Sequence, residues 1–231
     1  MKVNWQFVLN VVKQLEGTCE TLHDIDLVRE MVSFIVLMDS TGIVETGTEK
    51  GNTTQFLAMT FPHLHTYTCD KFVYPKVVYD VLDRHKNVTW KTMSSVEFLP
   101  VLGVDELGPR PFYFLDAHTR NTENPLAKEM EIIVEKLRRG EFVEAGVCIH
   151  DFKVEDRPEF GFNAADFDGT DLCWDTIKFI KPYTKAAWFP LGNPLTQYYR
   201  GRIFLYMSTV QPTLPYTLSY LENLGILKRF F

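Results

Sequence analysis

The chain has 231 residues, 45% hydrophobic and 23% charged, with 24 Lys and Arg against 30 Asp and Glu, for a formal net charge of −6. This length and apolar content suit one large folded domain and exclude a disordered chain. The negative balance argues against nonspecific nucleic-acid binding, which needs cations for the phosphates, and no stretch approaches the roughly 18 apolar residues of a membrane span.

Residues 1–38 carry helical apolar spacing through Ile25, Leu27, Val28, Met31, Val32 and Ile35, which predicts N-terminal helices. Gly42 to Thr46 reads as the first strand, and Thr53 to Met59 as a helix that Pro62 ends. Leu64 to Cys69 alternates and reads as strand. Pro75 then opens a helix with Val77, Val78, Val81 and Leu82 on one stripe. Val88 to Lys91 is a third strand, followed by a short helix around Val96 to Leu102. Pro111 to Ala117 is an apolar strand ending on an acid. Asn124 caps and Pro125 opens the clearest helix, with Leu126, Met130, Ile133, Val134 and Leu137 on one face and Gly140 as its stop. Lys136, Arg138 and Arg139 close it where cations favour the helix dipole, so this basic cluster reads as a solvated face. Val147 to Phe152 is a fifth strand. Residues 171–207 read as a helix and two strands that pair antiparallel at an edge, and Leu214 to Leu227 returns to helical spacing.

Strands alternating with helices imply βαβ units and a parallel sheet covered on both faces. The expected fold is α/β and doubly wound, one domain over 1–231. Its parts are N-terminal helices (1–38), a ligand-binding core (40–155), lid and edge strands (156–210) and a C-terminal helix (211–231).

The four cysteines, Cys19, Cys69, Cys148 and Cys173, show no C-x-x-C spacing, and Cys69 and Cys148 lie in apolar strands. The N-terminal K-V-N-W-Q-F-V-L-N lacks a signal-peptide pattern. The expected setting is the reduced cytoplasm, where the sequons at Asn52 and Asn87 carry no meaning.

In an open parallel sheet, ligands bind beyond the carboxyl ends of the strands. The informative residues are therefore Glu45 and Gly47, Asp70, Ser94 and Ser95, Asp116 and His118, and His150 and Asp151. In E-T-G-T-E-K-G, glycines 47 and 51 let backbone approach a ligand, and Glu45 suits an ammonium or hydroxyl group. The spacing fails the G-x-G-x-x-G of dinucleotide binders. Asp70, at the end of the next strand, stands where an acid grips ribose hydroxyls.

V-E-T-G-T-E-K-G-N-T-T, Y-T-C-D, M-S-S-V-E-F-L and F-Y-F-L-D-A-H, in this order, resemble motifs of class I S-adenosylmethionine-dependent methyltransferases over roughly residues 40–155. The resemblance implies a Rossmann-like, mostly parallel seven-stranded sheet with an antiparallel edge strand and helical N- and C-terminal additions. It also implies S-adenosylmethionine as cofactor, held by Glu45, Gly47, Thr48, Gly51, Asp70, Lys71, Ser94, Ser95 and Asp116. The methionine part would cross the Gly47/Gly51 loop, the ribose would meet Asp70, and the adenine would lie near Ser94 and Ser95. F-L-D-A-H followed by V-C-I-H-D-F is similar to metal-assisted small-molecule O-methyltransferases, of catechol and macrolide-sugar type, and to the cephalosporin-hydroxylase-like group.

Asp116, His150 and Asp151 would then hold a divalent ion such as Mg²⁺ or Mn²⁺, which would make an acceptor hydroxyl more acidic. The oxygen-only relatives place acid and amide groups where this chain has His150-Asp151, and a histidine donor shifts preference toward Mn²⁺, Fe²⁺ or Zn²⁺. The lysine base of the catechol-type enzymes has no counterpart before Lys128, which leaves His118, with Asp116, as the catalytic candidates. Trp188, Phe189, Tyr198, Tyr199, Arg200 and Arg202 could wall an acceptor pocket or pack on an edge strand, and the turn-rich 152–169 segment could be a lid. The expected partner is a small hydroxylated acceptor, with no nucleic acid and no membrane, and the helical ends leave room for a homodimer. The competing readings are an NAD-linked oxidoreductase, against which the missing third glycine counts, and a non-catalytic cofactor-binding scaffold, against which the retained polar strand ends count.

Overall fold

The computed structural model describes residues 3–15, 24–72, 82–118, 124–153, 172–190, 201–210 and 227–229. Two helices come first, α1 (Trp5–Leu15) and α2 (Ile25–Leu37). Asp24 starts α2, its Oδ1 accepting the backbone N–H groups of Asp26 (3.1 Å) and Leu27 (3.0 Å) that a helix start leaves open. The core follows as β1 (Gly42–Thr46), α3 (Asn52–Thr60), β2 (Thr66–Asp70), β3 (Val88–Thr92) and α4 (Ser95–Phe98). It continues through α5 (Val104–Leu107), β4 (Pro111–Leu115), α6 (Leu126–Arg138) and β5 (Glu144–His150). A short α7 (Trp174–Ile177) then leads to β6 (Thr184–Pro190), β7 (Arg202–Ser208) and β8 (Leu227–Arg229). The helix expected after Pro75, the 154–171 segment and Tyr198 to Arg200 lie outside the described residues.

The strands form one sheet in the order β3-β2-β1-β4-β5-β7-β6-β8. The five from β3 to β5 run parallel, and β7, β6 and β8 are antiparallel to their neighbours. Seven strands were expected, and among the described residues there are eight. Leu227, assigned to a tail helix by its spacing, instead begins a strand that pairs with Pro190 and covers the edge β6 would otherwise expose. Of the tail helix itself, 211–226 lies outside the described residues.

β1, β4 and β5 are buried along their whole length because helices cover both faces of the sheet. Alternate residues serve opposite faces. Val44, Tyr113, Leu115, Val147 and Ile149 share one core cluster with Leu126, Met130, Ile133 and Leu137 of α6. Ile43, Phe112, Phe114 and Cys148 join the other, with α1, α2 and α3. Each such aliphatic side chain contributes about 1.5–3 kcal/mol of burial. Cys69, Cys148 and Cys173 are free and buried, as small hydrophobes. Trp188 and Phe189 also belong to the core: Trp188 meets the Phe34 ring edge-on at 5.9 Å, and Phe189 stacks on Phe152 at 6.3 Å. Of their two readings, packing is the one the structure adopts. No helix among the described residues is long and apolar enough to cross a membrane.

The N-terminal layer is tied to the sheet by charge as well as by apolar contact. Arg202, fully buried on β7, donates from Nε to Glu30 Oε2 and from Nη1 to Asp24 Oδ2, both at 2.6 Å. Burial raises the Glu30 pKa to about 7, with Arg202 opposing the rise. Replacing Arg202 by Leu is expected to cost about 3–5 kcal/mol at neutral pH, because it strands buried carboxylates. The cost falls toward pH 5, where Glu30 takes up a proton; chemical denaturation of both proteins at the two pH values measures it.

Candidate functional site

In this strand order the chain reverses direction across the sheet between β1 and β4, so the crevice lies beyond their carboxyl ends. Gly47 leaves β1 at φ 87°, and a Cβ there would lie 2.8 Å from the Asp116 carbonyl carbon and 3.1 Å from Ala117 Cα. The glycine therefore serves the contact between the β1 and β4 ends, in addition to any clearance for a ligand. Gly47 and Thr48 both donate backbone N–H groups to the Cys69 carbonyl, at 2.9 and 3.1 Å. Gly51, at φ 71°, starts α3 with no side-chain cap.

Glu45 sits beneath this loop, 1% exposed. Its Oε2 accepts from the Thr68 hydroxyl at 2.8 Å and from the Thr54 hydroxyl. The Thr68 oxygen, its proton directed to Glu45, accepts from Thr48 at 2.6 Å. Burial raises the Glu45 pKa to about 8 against these two hydrogen bonds. Glu45 thus fastens the loop to α3 and β2 from below, and the neighbouring Thr48 is part of the same fastening. Thr54 and Thr68 were not identified from sequence; a run of threonines around a strand-end acid is the signal that could have found them.

Asp70 faces the crevice from β2. Its Oδ2 accepts the Glu49 N–H at 2.8 Å and its Oδ1 the Phe72 N–H at 2.9 Å, so one carboxylate orders the loops after β1 and β2. Glu49 itself holds φ 44°, a conformation unusual without glycine. Lys71 is exposed beside Asp70, and Phe72 is exposed to 59%. Ser94 caps α4 in a reciprocal pair with Glu97, its Oγ donating to Glu97 Oε2 at 2.6 Å and accepting the Glu97 N–H at 3.3 Å. Ser95 is buried and hydrogen-bonds Glu129 of α6, as does Thr46. Glu129 was missed by sequence reasoning. It is an acid inside the apolar stripe Leu126, Met130, Ile133, Leu137; burial raises its pKa, and its Oε1 has no hydrogen-bond partner.

β4 and β5 are neighbours, and their ends bring Asp116, His118, His150 and Asp151 together, one donor atom from each within 4.8 Å of all the others. The atoms alternate around a ring. His118 Nε2 lies 2.9 Å from Asp151 Oδ2 and 3.4 Å from Asp116 Oδ1, while His150 Nδ1 lies 3.1 Å from Asp116 Oδ1 and 3.5 Å from Asp151 Oδ2. Burial disfavours the charged His150 ring, but Asp151 and Asp116 outweigh it and raise the pKa to about 10. Burial likewise opposes the Asp151 charge, and His150 and His118 hold its carboxyl well below the usual range. Asp151 has φ 57°, a left-handed conformation held by its surroundings, since Phe152 N–H donates to the Gly201 carbonyl at 2.8 Å. Two imidazoles and two carboxylates converging in this way are a donor set for a divalent transition ion.

Gly47→Ala is expected to cost about 2 kcal/mol or more, from backbone strain and from the contact with Asp116, measured by urea denaturation. Glu45→Gln tests the buried acid. Folding raises the Glu45 pKa from 4.5 to about 8, so its contribution to stability is complete below pH 4.5 and is lost as pH rises toward 8. The wild type should therefore lose stability relative to Glu45→Gln across that window, by up to about 1.4 kcal/mol per pH unit. Parallel pH profiles would contradict this assignment.

No family model matches the chain, and no curated protein matches it by sequence. Solved structures do match. The fold is similar to that of a Klebsiella pneumoniae protein assigned as an O-methyltransferase, at 16% identity over 87% of this chain and 88% of that one, with a TM-score of 0.57. It is also similar to the O-methyltransferase of Bacillus cereus in complex with SAH, at 15% identity over 88% and 91%, with a TM-score of 0.51. Identities this low speak to architecture. The chain has the Rossmann-like fold of the class I S-adenosylmethionine-dependent methyltransferases.

Proposed function

We propose that the chain transfers a methyl group from S-adenosylmethionine to a hydroxyl of a small molecule, with a divalent ion held by Asp116, His118, His150 and Asp151. The observation that carries this reading is the meeting of those four side chains at the β4 and β5 ends, beside the Gly47–Gly51 loop and the Asp70 carboxylate that orders it. The SAH in the Bacillus cereus neighbour supports the choice of cofactor. Asp70 keeps lone pairs for ribose hydroxyls while its backbone contacts hold the loop in shape. Phe72, exposed next to it, offers an apolar surface for a base.

Transfer forms a carbon–oxygen bond to the acceptor and breaks the methyl–sulfur bond of the sulfonium, leaving a thioether, and the hydroxyl proton passes to solvent water. A divalent ion lowers the pKa of a hydroxyl it contacts, which makes the oxygen a nucleophile near neutral pH. Asp116, His118, His150 and Asp151 would hold the ion and through it orient the acceptor relative to the loop, and holding two reactants in line supplies much of the rate. His118, expected as the base, presents Nε2 to the same point as the other donors, so in this reading it holds the ion.

Calorimetric titration tests the cofactor half: S-adenosylmethionine should bind and NAD should not, and binding of NAD alone would overturn the proposal. Asp70→Ala should weaken S-adenosylmethionine binding about 10- to 100-fold. Asp151→Ala should leave that affinity within a few-fold and abolish SAH release with a panel of catechols and sugars. The opposite pattern would mean the two halves of the crevice are assigned the wrong way round.

A further inference from the structure

We infer that the Asp116/His118/His150/Asp151 site selects a borderline transition ion, of the Mn²⁺ to Zn²⁺ series, over Mg²⁺ and Ca²⁺. The inference rests on the metal-assisted reading above and narrows it.

The donor atoms carry it first. Two of the four are imidazole nitrogens, His118 Nε2 and His150 Nδ1, and each lies between the same two carboxylate oxygens at 2.9–3.5 Å. Mg²⁺ and Ca²⁺ take oxygen donors, whereas imidazole suits Fe²⁺, Ni²⁺ and Zn²⁺, and Mn²⁺ stands at the weak, oxygen-preferring end of that series. The space around the donors points the same way. Side-chain exposure is 7% for both histidines and 3% for Asp151, with 22% for Asp116 as the open side. Mg²⁺ gives up its waters reluctantly and Ca²⁺ takes six to eight oxygens, so donors this buried, with only two carboxylates among them, disfavour both. Rigidity is the third part. His150 and Asp151 are adjacent in the chain and the β4–β5 pairing fixes their distance from Asp116, with Leu115 opposite Ile149. Two carboxylates match the charge of a divalent ion, so the occupied site is neutral where water is scarce.

The test uses the full chain stripped with EDTA and the metal ions alone, followed by calorimetry and thermal melting. Zn²⁺ and then Mn²⁺ should bind at one ion per chain and raise the melting temperature, at least about 100-fold tighter than Mg²⁺. His118→Gln and His150→Gln, checked for folding by circular dichroism, should each lose most of this preference, and His150→Asp should shift it toward Mg²⁺. If Mg²⁺ binds within tenfold of Mn²⁺ at the same residues, the ion class is wrong while metal-assisted transfer survives. If no ion binds, both fall. If Zn²⁺ binds with unchanged affinity to both glutamine variants, its site lies elsewhere and the inference is overturned.

Discussion

The backbone of Gly47 lies against the Asp116 carbonyl so closely that no side chain fits between them. This contact joins the end of β1 to the end of β4 at the point where the strand order reverses. On one side of it runs the loop from Gly47 to Gly51, and on the other stand Asp116 and the histidine–aspartate ring. A bulkier residue at 47 would push the strand ends apart, and the distance between the two halves of the crevice would change with them. The Asp116 N–H, donating to the Thr46 carbonyl at 3.0 Å, continues the same junction.

Two buried carboxyls support the loop side from within the core. Glu45 collects the hydroxyls of Thr54 and Thr68 below the loop, and Glu129 collects those of Thr46 and Ser95 beneath the ends of β1 and β4. Burial raises both pKa values, so both acids tend toward the neutral form that a dry interior tolerates. Asp70 differs, since it is half-buried, bound to two backbone N–H groups, and open to the crevice. The three acids near the loop therefore divide into two fasteners and one candidate ligand group. Farther out, the Arg202 triad fixes α2 to β7 opposite His150, which ties the N-terminal layer to the strand beside the ring.

Much of this was legible in the sequence because it is local. Period-two and period-3.6 patterns place β1, β4, β5 and α6 within a few residues, since each buries a regular face. The polar strand ends at Asp70, Asp116 and His150 were legible because a parallel sheet puts them all on one edge. What was not legible depends on partners distant in the chain. Nothing near Glu45 says that it turns down to Thr54 and Thr68, and nothing near Arg202 says that Asp24 and Glu30 meet it. Leu227 has helical spacing, yet the unpaired edge of β6 supplies backbone hydrogen bonds that outweigh so short a pattern. Trp188 and Phe189 could be read either as an acceptor wall or as packing on an edge strand, and they belong to the core because β6 pairs on both sides.

The central claim is that cofactor and ion share one crevice on either side of the Gly47–Asp116 junction. Relaxation of the S-methyl protons of S-adenosylmethionine by Mn²⁺ measures it most directly. With the protein present, Mn²⁺ should strongly enhance relaxation of that methyl signal, Mg²⁺ should not, and Asp151→Ala should remove the effect while the cofactor still binds. A bound cofactor whose methyl protons relax equally with Mn²⁺ and Mg²⁺ would contradict the account.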